Sequence, residues 1–249
     1  MRSEVVLPGD VVNLDKNDAS ATQVIVGCGF DHCFNEEGDQ LLVVQPGLKI
    51  CANGKQWILT HSRRYIPCNG DRVLGVVTST HGDAIKVDIG SADQAFLNFL
   101  SFEGATKSNR PNLKVGDLLF ASIKFASKHL EPELTCVDDD GRARGLGVLP
   151  TSGFTFNTSL NLVRRLLSPT SKLLSLIGRD LKFEITCGLN GRIWINGQNT
   201  KEIIAIYHMI QESESVAEPD IPRFIERKMR LLQGFPVEDT VVTPMNIDP

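Results

Sequence analysis

Three short phrases recur along the chain: Pro8-Gly9-Asp10-Val11-Val12, Asn69-Gly70-Asp71-Arg72-Val73 and Val115-Gly116-Asp117-Leu118-Leu119. Each reads as a turn feeding a strand. Glycine tolerates positive φ, aspartate bonds the backbone of its own turn, and β-forming residues follow. The phrases mark strand entries, not a true repeat. They tie the first half of the chain to short strands, which need sheet partners to be stable.

Residues 1–62 read as all β, with strands expected at 5–7, 23–26, 40–44 and 56–60 between Gly, Asn and Asp clusters. A small sandwich is the expected result, and Gly9 and Asp10 are read as structural, holding its first turn. Residues 63–140 hold a second β set, with strands at 72–78, 85–89, 95–99, 118–125 and 134–137. Five strands with a long connection between the third and fourth match an OB-type barrel. After Asp138-Asp139-Asp140-Gly141 the pattern turns to mixed α/β. Leu160, Val163, Leu166 and Leu167 share a helical face,. A second helix is expected at 172–177, and strands at 154–156, 182–186 and 192–195. A helix over 201–211 with Thr200 as N-cap follows, then a polar linker at 212–220 and an amphipathic helix at 221–232. The chain thus divides into 1–62, 63–140, 141–235 and a loose tail at 236–249.

The 249 residues carry 26 Lys+Arg against 30 Asp+Glu, a formal charge of -4. Taken whole, this argues against nucleic-acid binding through bulk positive charge. Divided along the chain, residues 1–62 and 212–249 each sum to -4, whereas 63–137 sum to +1 and 138–211 to +3. The acidity lies at the ends and the middle is mildly basic. The first residues lack a signal-peptide core, and no apolar run approaches the ~20 residues of a membrane helix. A soluble, intracellular chain with no membrane partner is expected. Six cysteines are irregularly spaced. Cys28 and Cys33 flank His32, yet no second pair completes a zinc site, so free thiols and no metal or cofactor are expected,.

Enzyme constellations are absent: there is no Walker sequence, dinucleotide fingerprint or His-Glu-x-x-His, and the five histidines are scattered,. The run Asp138–Asp140 is read as a solvated turn before it is read as a metal site. No catalytic residue and no small-molecule substrate are proposed. Positive signals point to nucleic acid, because Lys107, Asn109 and Arg110 lie in one barrel loop with Lys114 just after,.

The order of motifs is specific. Tyr65-Ile66-Pro67-x-x-Gly70-Asp71-x-Val73-x-Gly75-x-Val77 resembles the opening of an S1 domain. Gly82-Asp83-x-x-Lys86-Val87-Asp88-Ile89-Gly90, Phe102-Glu103-Gly104-Ala105-Thr106-Lys107, Arg110-Pro111-Asn112 and Gly188-x-Asn190-Gly191-Arg192-Ile193-Trp194 follow. Over residues 1–210 the chain resembles the S1- and KH-containing cap subunits of the eukaryotic RNA exosome. The resemblance implies an N-terminal β domain, an S1 barrel, a KH-like domain and no catalysis. It implies partners in RNase PH-like ring subunits, the other cap subunits and single-stranded RNA, with action in nucleus, nucleolus and cytoplasm.

The modules depart from RNA-reading versions. The second barrel strand, 84–89, has no aromatic on which a base would stack,. Phe99 is read as core, and Phe96 is left open between stacking and packing. Weakly selective phosphate binding through Lys86, Lys107, Asn109 and Arg110 is expected. A KH domain grips RNA with a Gly-x-x-Gly loop between two helices, but here that place holds Ser168-Pro169-Thr170-Ser171. Gly188, Asn190 and Gly191 are read as a structural hairpin turn, with Arg192 and Trp194 packing against a neighbouring domain. Trp57 and Trp194 are left as core or interface anchors. The rival readings are a free-standing S1–KH factor of translation or transcription, and a nuclease using Asp138–Asp140 with a metal.

Overall fold

The Gly-Asp phrases adopt one turn. In the computed structural model, which describes residues 2–13, 25–27, 29–35, 38–52, 55–82, 84–107, 109–127 and 130–232, Gly9, Gly70 and Gly116 have φ of +97°, +84° and +97°. Only glycine occupies that region at little cost. Each following aspartate donates its N–H three residues back: Asp10 to Leu7, Asp71 to Cys68 and Asp117 to Lys114, at 3.1, 3.2 and 3.1 Å. The carboxylates of Asp10 and Asp117 accept the N–H of Leu7 and Lys114, each at 2.8 Å. Asp71 instead accepts the Tyr65 hydroxyl at 2.6 Å. Burial, then that bond and the aspartate's charge, lift the Tyr65 pKa far above the ordinary phenol value.

The chain divides after Ser62 into two compact units. The first holds β1 (Arg2–Val6), β2 (Val11–Asn13), β3 (Ile25–Val26), β4 (Phe30–Asn35), β5 (Gly38–Val43), β6 (Gly47–Ala52) and β7 (Lys55–Leu59). They form sheets of order β1-β6-β7-β3 and β2-β5-β4, which share a small core of Val6, Val12, Leu41, Val43 and Ile58. The first Gly-Asp phrase marks the entry to β2, whereas the sequence pattern misses β4 and β6. In β6 and β7 the usual alternation is inverted: Lys49 and Gln56 are buried, whereas Leu48 and Leu59 are 40% and 42% exposed. Register places Val5, Leu48 and Leu59 side by side on the outer face.

The second unit opens with β8 (Arg72–His81), β9 (Ala84–Asp88), β10 (Ala95–Asn98), β11 (Leu118–Phe125), β12 (Glu133–Thr135) and the short β13 (Gly147–Val148). The order β10-β9-β8-β11, closed by β12 against both β10 and β11, makes a five-stranded barrel with β13 outside. All pairs are antiparallel except β10–β12. Val73, Val77, Val87, Leu97, Leu119, Ile123 and Leu134 fill its core. At Gly75 a Cβ would stand 2.3 Å from Val87 Cγ1, so glycine lets β8 and β9 coil together there. A bulge at Thr78 bends β8 where the barrel curves,.

Beyond it come β14 (Phe154–Asn157), α1 (Leu160–Leu167), α2 (Leu173–Asp180), β15 (Phe183–Cys187), β16 (Arg192–Gly197), α3 (Thr200–Glu212) and α4 (Ile221–Leu232). The sheet runs β14-β16-β15 with antiparallel pairs, the β-α-α-β-β-α order of a KH fold. Ile193 and Ile195 face α1–α4 in a shared core with Val163, Ile177, Ile206, Ile210 and Ile225. Ser159 caps α1 by accepting the Leu162 N–H. The N-cap of α3 is Asn199, not Thr200, which begins the helix; the Asn199 side chain makes no cap bond but donates to Glu202 at 2.6 Å. The expected linker at 212–220 forms two short 3₁₀ turns. Arg165 holds them, donating to the carbonyls of Ser213 and Val216 and to Glu218. The tail at 236–249 lies outside the described residues, as do Cys28 and the side chains of His32 and Cys33.

Candidate nucleic-acid interface

The β15–β16 turn, Gly188-Leu189-Asn190-Gly191, enters the side of the barrel. Asn190, 116 residues from Leu74, treats it as an adjoining strand. Its Oδ1 accepts the Leu74 N–H at 3.2 Å, and its Nδ2 donates to the carbonyls of Leu74 and Ile89 at 2.7 and 2.8 Å. The Leu189 N–H donates to Arg72 at 2.8 Å. Such pairing leaves none of these buried polar groups orphaned. Glycine is required on both sides. A Cβ at Gly188 would meet Leu74 N at 2.6 Å, and one at Gly191, where φ is +82°, would meet the Thr158 carbonyl at 2.7 Å. Leu160 of α1 joins the barrel core, and Leu189 packs against both cores.

Arg192 adds a charged contact at the edge of this seam. Its guanidinium donates to the Asp88 carbonyl and carboxylate, each at 2.6 Å. Partial burial works against the charged Asp88 carboxylate. The hydrogen bonds from Arg192 and the Gly90 N–H, with the guanidinium's charge, outweigh it and hold the pKa below the usual carboxylate value. Trp194 does not share this role. It lies on the sheet face away from the helices, is 3% exposed, and its indole occupies the space a Cβ at Gly153 would need. It is buried against Gly153, outside the helix-facing core of the KH module. Trp57 is half-buried on the outer face of β7.

The loop between β10 and β11 is organised by its own polar groups. Thr106 N–H donates to the Asn109 carbonyl and Asn109 N–H to Thr106 Oγ1, each at 3.0 Å. Asn109 Nδ2 reaches the Gly104 carbonyl at 3.4 Å. Arg110 stacks its guanidinium 4.5 Å from the Phe99 ring centre and reaches the carbonyls of Lys107 and Gly82 at 3.5 Å. Asn109 and Arg110 therefore shape the loop. Lys107 and Lys114 stand exposed, and neither pairs with a described acidic group. Phe99 is buried in the barrel.

The outer barrel face carries both signs. Lys86 is exposed on β9 and lies 3.5 Å from Glu131, and Lys124 lies 3.0 Å from Glu133. Phe96, half-buried, is paired in register with Lys86. Phe125 is 43% exposed and was missed by alternation. Strict period two groups it with the buried Leu119, Ala121 and Ile123, but the register shifts between Ile123 and Phe125 and releases the ring to the surface.

The α1–α2 loop turns its polar groups on itself. Pro169 has no N–H, the Ser171 N–H donates to the Ser168 carbonyl at 3.0 Å, and the hydroxyls of Ser168 and Thr170 bond each other at 2.8 Å. The Asp138–Asp140 run folds as a turn, with Gly141 N–H donating to the Asp138 carbonyl at 2.8 Å. Arg144 ion-pairs with Asp138 and Asp140. Among the described residues no three His, Cys, Asp or Glu side chains form a metal-holding group. Burial pushes the Cys136 and Cys187 thiols up to about 12, so they behave as apolar core groups.

An S1 barrel fused through a hydrogen-bonded seam to a KH module defines a class of RNA-binding protein. Comparison with known proteins narrows it. The S1 model of exosome complex component RRP40 matches residues 65–147, and a KH domain model matches 153–201. The RRP40 of Drosophila melanogaster is 40% identical over 85% of this chain and 90% of its own length. Those of Homo sapiens and Saccharomyces cerevisiae are 37% and 35% identical, over 83% and 84% of this chain and 78% and 88% of theirs. The crystal structure of a protein assigned as an exosome complex RNA-binding protein aligns with a TM-score of 0.54 at 27% identity, over 68% of this chain and 98% of that one. The chain belongs to the RRP40 family of exosome complex components.

Proposed function

We propose that this chain is a non-catalytic, RNA-binding cap subunit of the RNA exosome, acting in nucleus, nucleolus and cytoplasm. It guides single-stranded RNA toward a nuclease held by another subunit and steadies a ring of RNase PH-like subunits beside the other cap subunits. The observation that carries the reading, beyond family membership, is the hydrogen-bonded S1–KH seam combined with the exposed Lys107 and Lys114. The seam fixes the barrel, and Lys107 and Lys114 offer charge without a base-reading pocket. Lys86 and Arg110 support the same electrostatic surface. The row Val5, Leu48 and Leu59, with Val5 74% exposed, suits docking on a protein surface.

In a reconstituted exosome, Lys107→Glu with Lys114→Glu shortens or weakens RNA protection while assembly is unchanged. Unchanged protection overturns the guiding role. The pure chain with magnesium or manganese leaves single-stranded RNA intact. Degradation that is lost on Asn substitution at Asp138–Asp140 would favour the nuclease reading instead.

A further inference from the structure

Helix α4 lies beyond both matched domains and carries a feature that neither explains. Its inner face, Ile221, Ile225 and Met229, is buried in the KH core. Its outer face carries Arg223, Arg227 and Arg230, all exposed. At 3.6 residues per turn these three fall within about 60° of arc, rising along the axis by ~6 and then ~4.5 Å. The one acidic residue of α4, Glu226, lies close enough to Arg179 of α2 to act on it electrostatically. Lys228 turns to the other side, pairing with Glu212 of α3 at 2.6 Å and lying 5.8 Å from the Phe224 ring centre. Arg223 and Arg230 form no ion pair with a described residue.

We propose that this arginine stripe is a second, sequence-neutral contact for the phosphate backbone of single-stranded RNA, apart from the barrel loop. Guanidiniums on successive turns form a line of forked donors that matches a chain of phosphates. The stripe holds no exposed aromatic, the usual anchor of a protein interface and of base stacking. The inference rests on the RNA-binding reading above, and the test separates the two.

The test measures anisotropy of a fluorescent oligouridine against the full chain over a salt series. Three proteins are compared: wild type, Arg223→Glu/Arg230→Glu, and Lys107→Glu/Lys114→Glu. The α4 variant should bind about tenfold more weakly at ~50 mM salt, and its log–log salt slope should lose about 1.4, the value for two single-strand phosphate contacts. Arg223→Lys/Arg230→Lys keeps the charge and loses the fork, so it should bind between wild type and the Glu variant, with the wild-type salt slope. Wild-type affinity and slope in the α4 variant, with the barrel variant impaired, overturns the stripe alone. The reverse pattern supports the stripe and overturns the barrel-loop reading. Wild type that does not bind at low salt overturns both. Unchanged RNA binding with lost binding of polyglutamate would assign the face to an acidic protein and contradict the proposal.

Discussion

The loops at 188–191 and 104–112 are both polar, glycine-containing turns of RNA-binding modules, yet they do opposite work. In the first, the Asn190 amide is buried and bonded to the backbone of another domain. In the second, Asn109 bonds Thr106 and the Gly104 carbonyl, Arg110 reaches the Lys107 and Gly82 carbonyls and the Phe99 ring, and Lys107, with Lys114 just after the loop, is left to solvent. Glycine in the first signals close approach of two protein surfaces; charge in the second signals a polyanion. Variants of the first loop should therefore lower stability without changing affinity per folded molecule. Variants of the second should do the reverse.

The largest effect is expected from Gly188→Ala, whose Cβ would overlap Asn190 and Leu74. Thermal and urea melts should show a loss of about 3 kcal/mol, the upper end for overpacking a tight contact, because two of the approached atoms are the Leu74 backbone N and the bonded Asn190 Oδ1,. Asn190→Ala removes three hydrogen bonds and orphans buried partners, so about 2–4 kcal/mol is expected. Stability within ~0.5 kcal/mol of wild type in either variant would show that the seam is not held as described.

This seam was only partly legible in sequence. The hairpin turn could be read from Gly-x-Asn-Gly, but its partners Leu74 and Asp88 lie more than a hundred residues away and leave no local signature. Barrel strands and KH helices followed their periods of two and 3.6 because each buries one apolar face. The N-terminal domain did not, since β6 and β7 bury Lys49 and Gln56 and turn Leu48 and Leu59 outward. Phe125 was hidden by a bulge that no alternation rule anticipates.

Asp88→Asn should give a smaller, pH-dependent effect at the edge of the seam. The folded carboxylate has a depressed pKa, so its contribution is present above the unfolded value of about 3.9 and lost as pH falls through the lower folded value. The pair is partly exposed, with side chains 21% and 44% accessible, and about 1 kcal/mol or less is expected. Melts between about pH 6 and 2 should show the wild type losing more stability than the variant. Equal losses would contradict the assignment. The smallest effect is at the α1–α2 loop: Pro169→Gly should leave oligouridine affinity within about twofold, because a Gly-x-x-Gly grip needs both glycines and outward N–H groups. A larger gain would reopen that loop as an RNA site.

The most direct test sets melting temperature against oligouridine affinity for Asn190→Ala and Lys107→Glu/Lys114→Glu side by side. The first variant should melt several degrees lower and bind as wild type where folded, whereas the second should melt as wild type and bind several-fold more weakly. A fully stable Asn190→Ala protein that loses RNA affinity would contradict this.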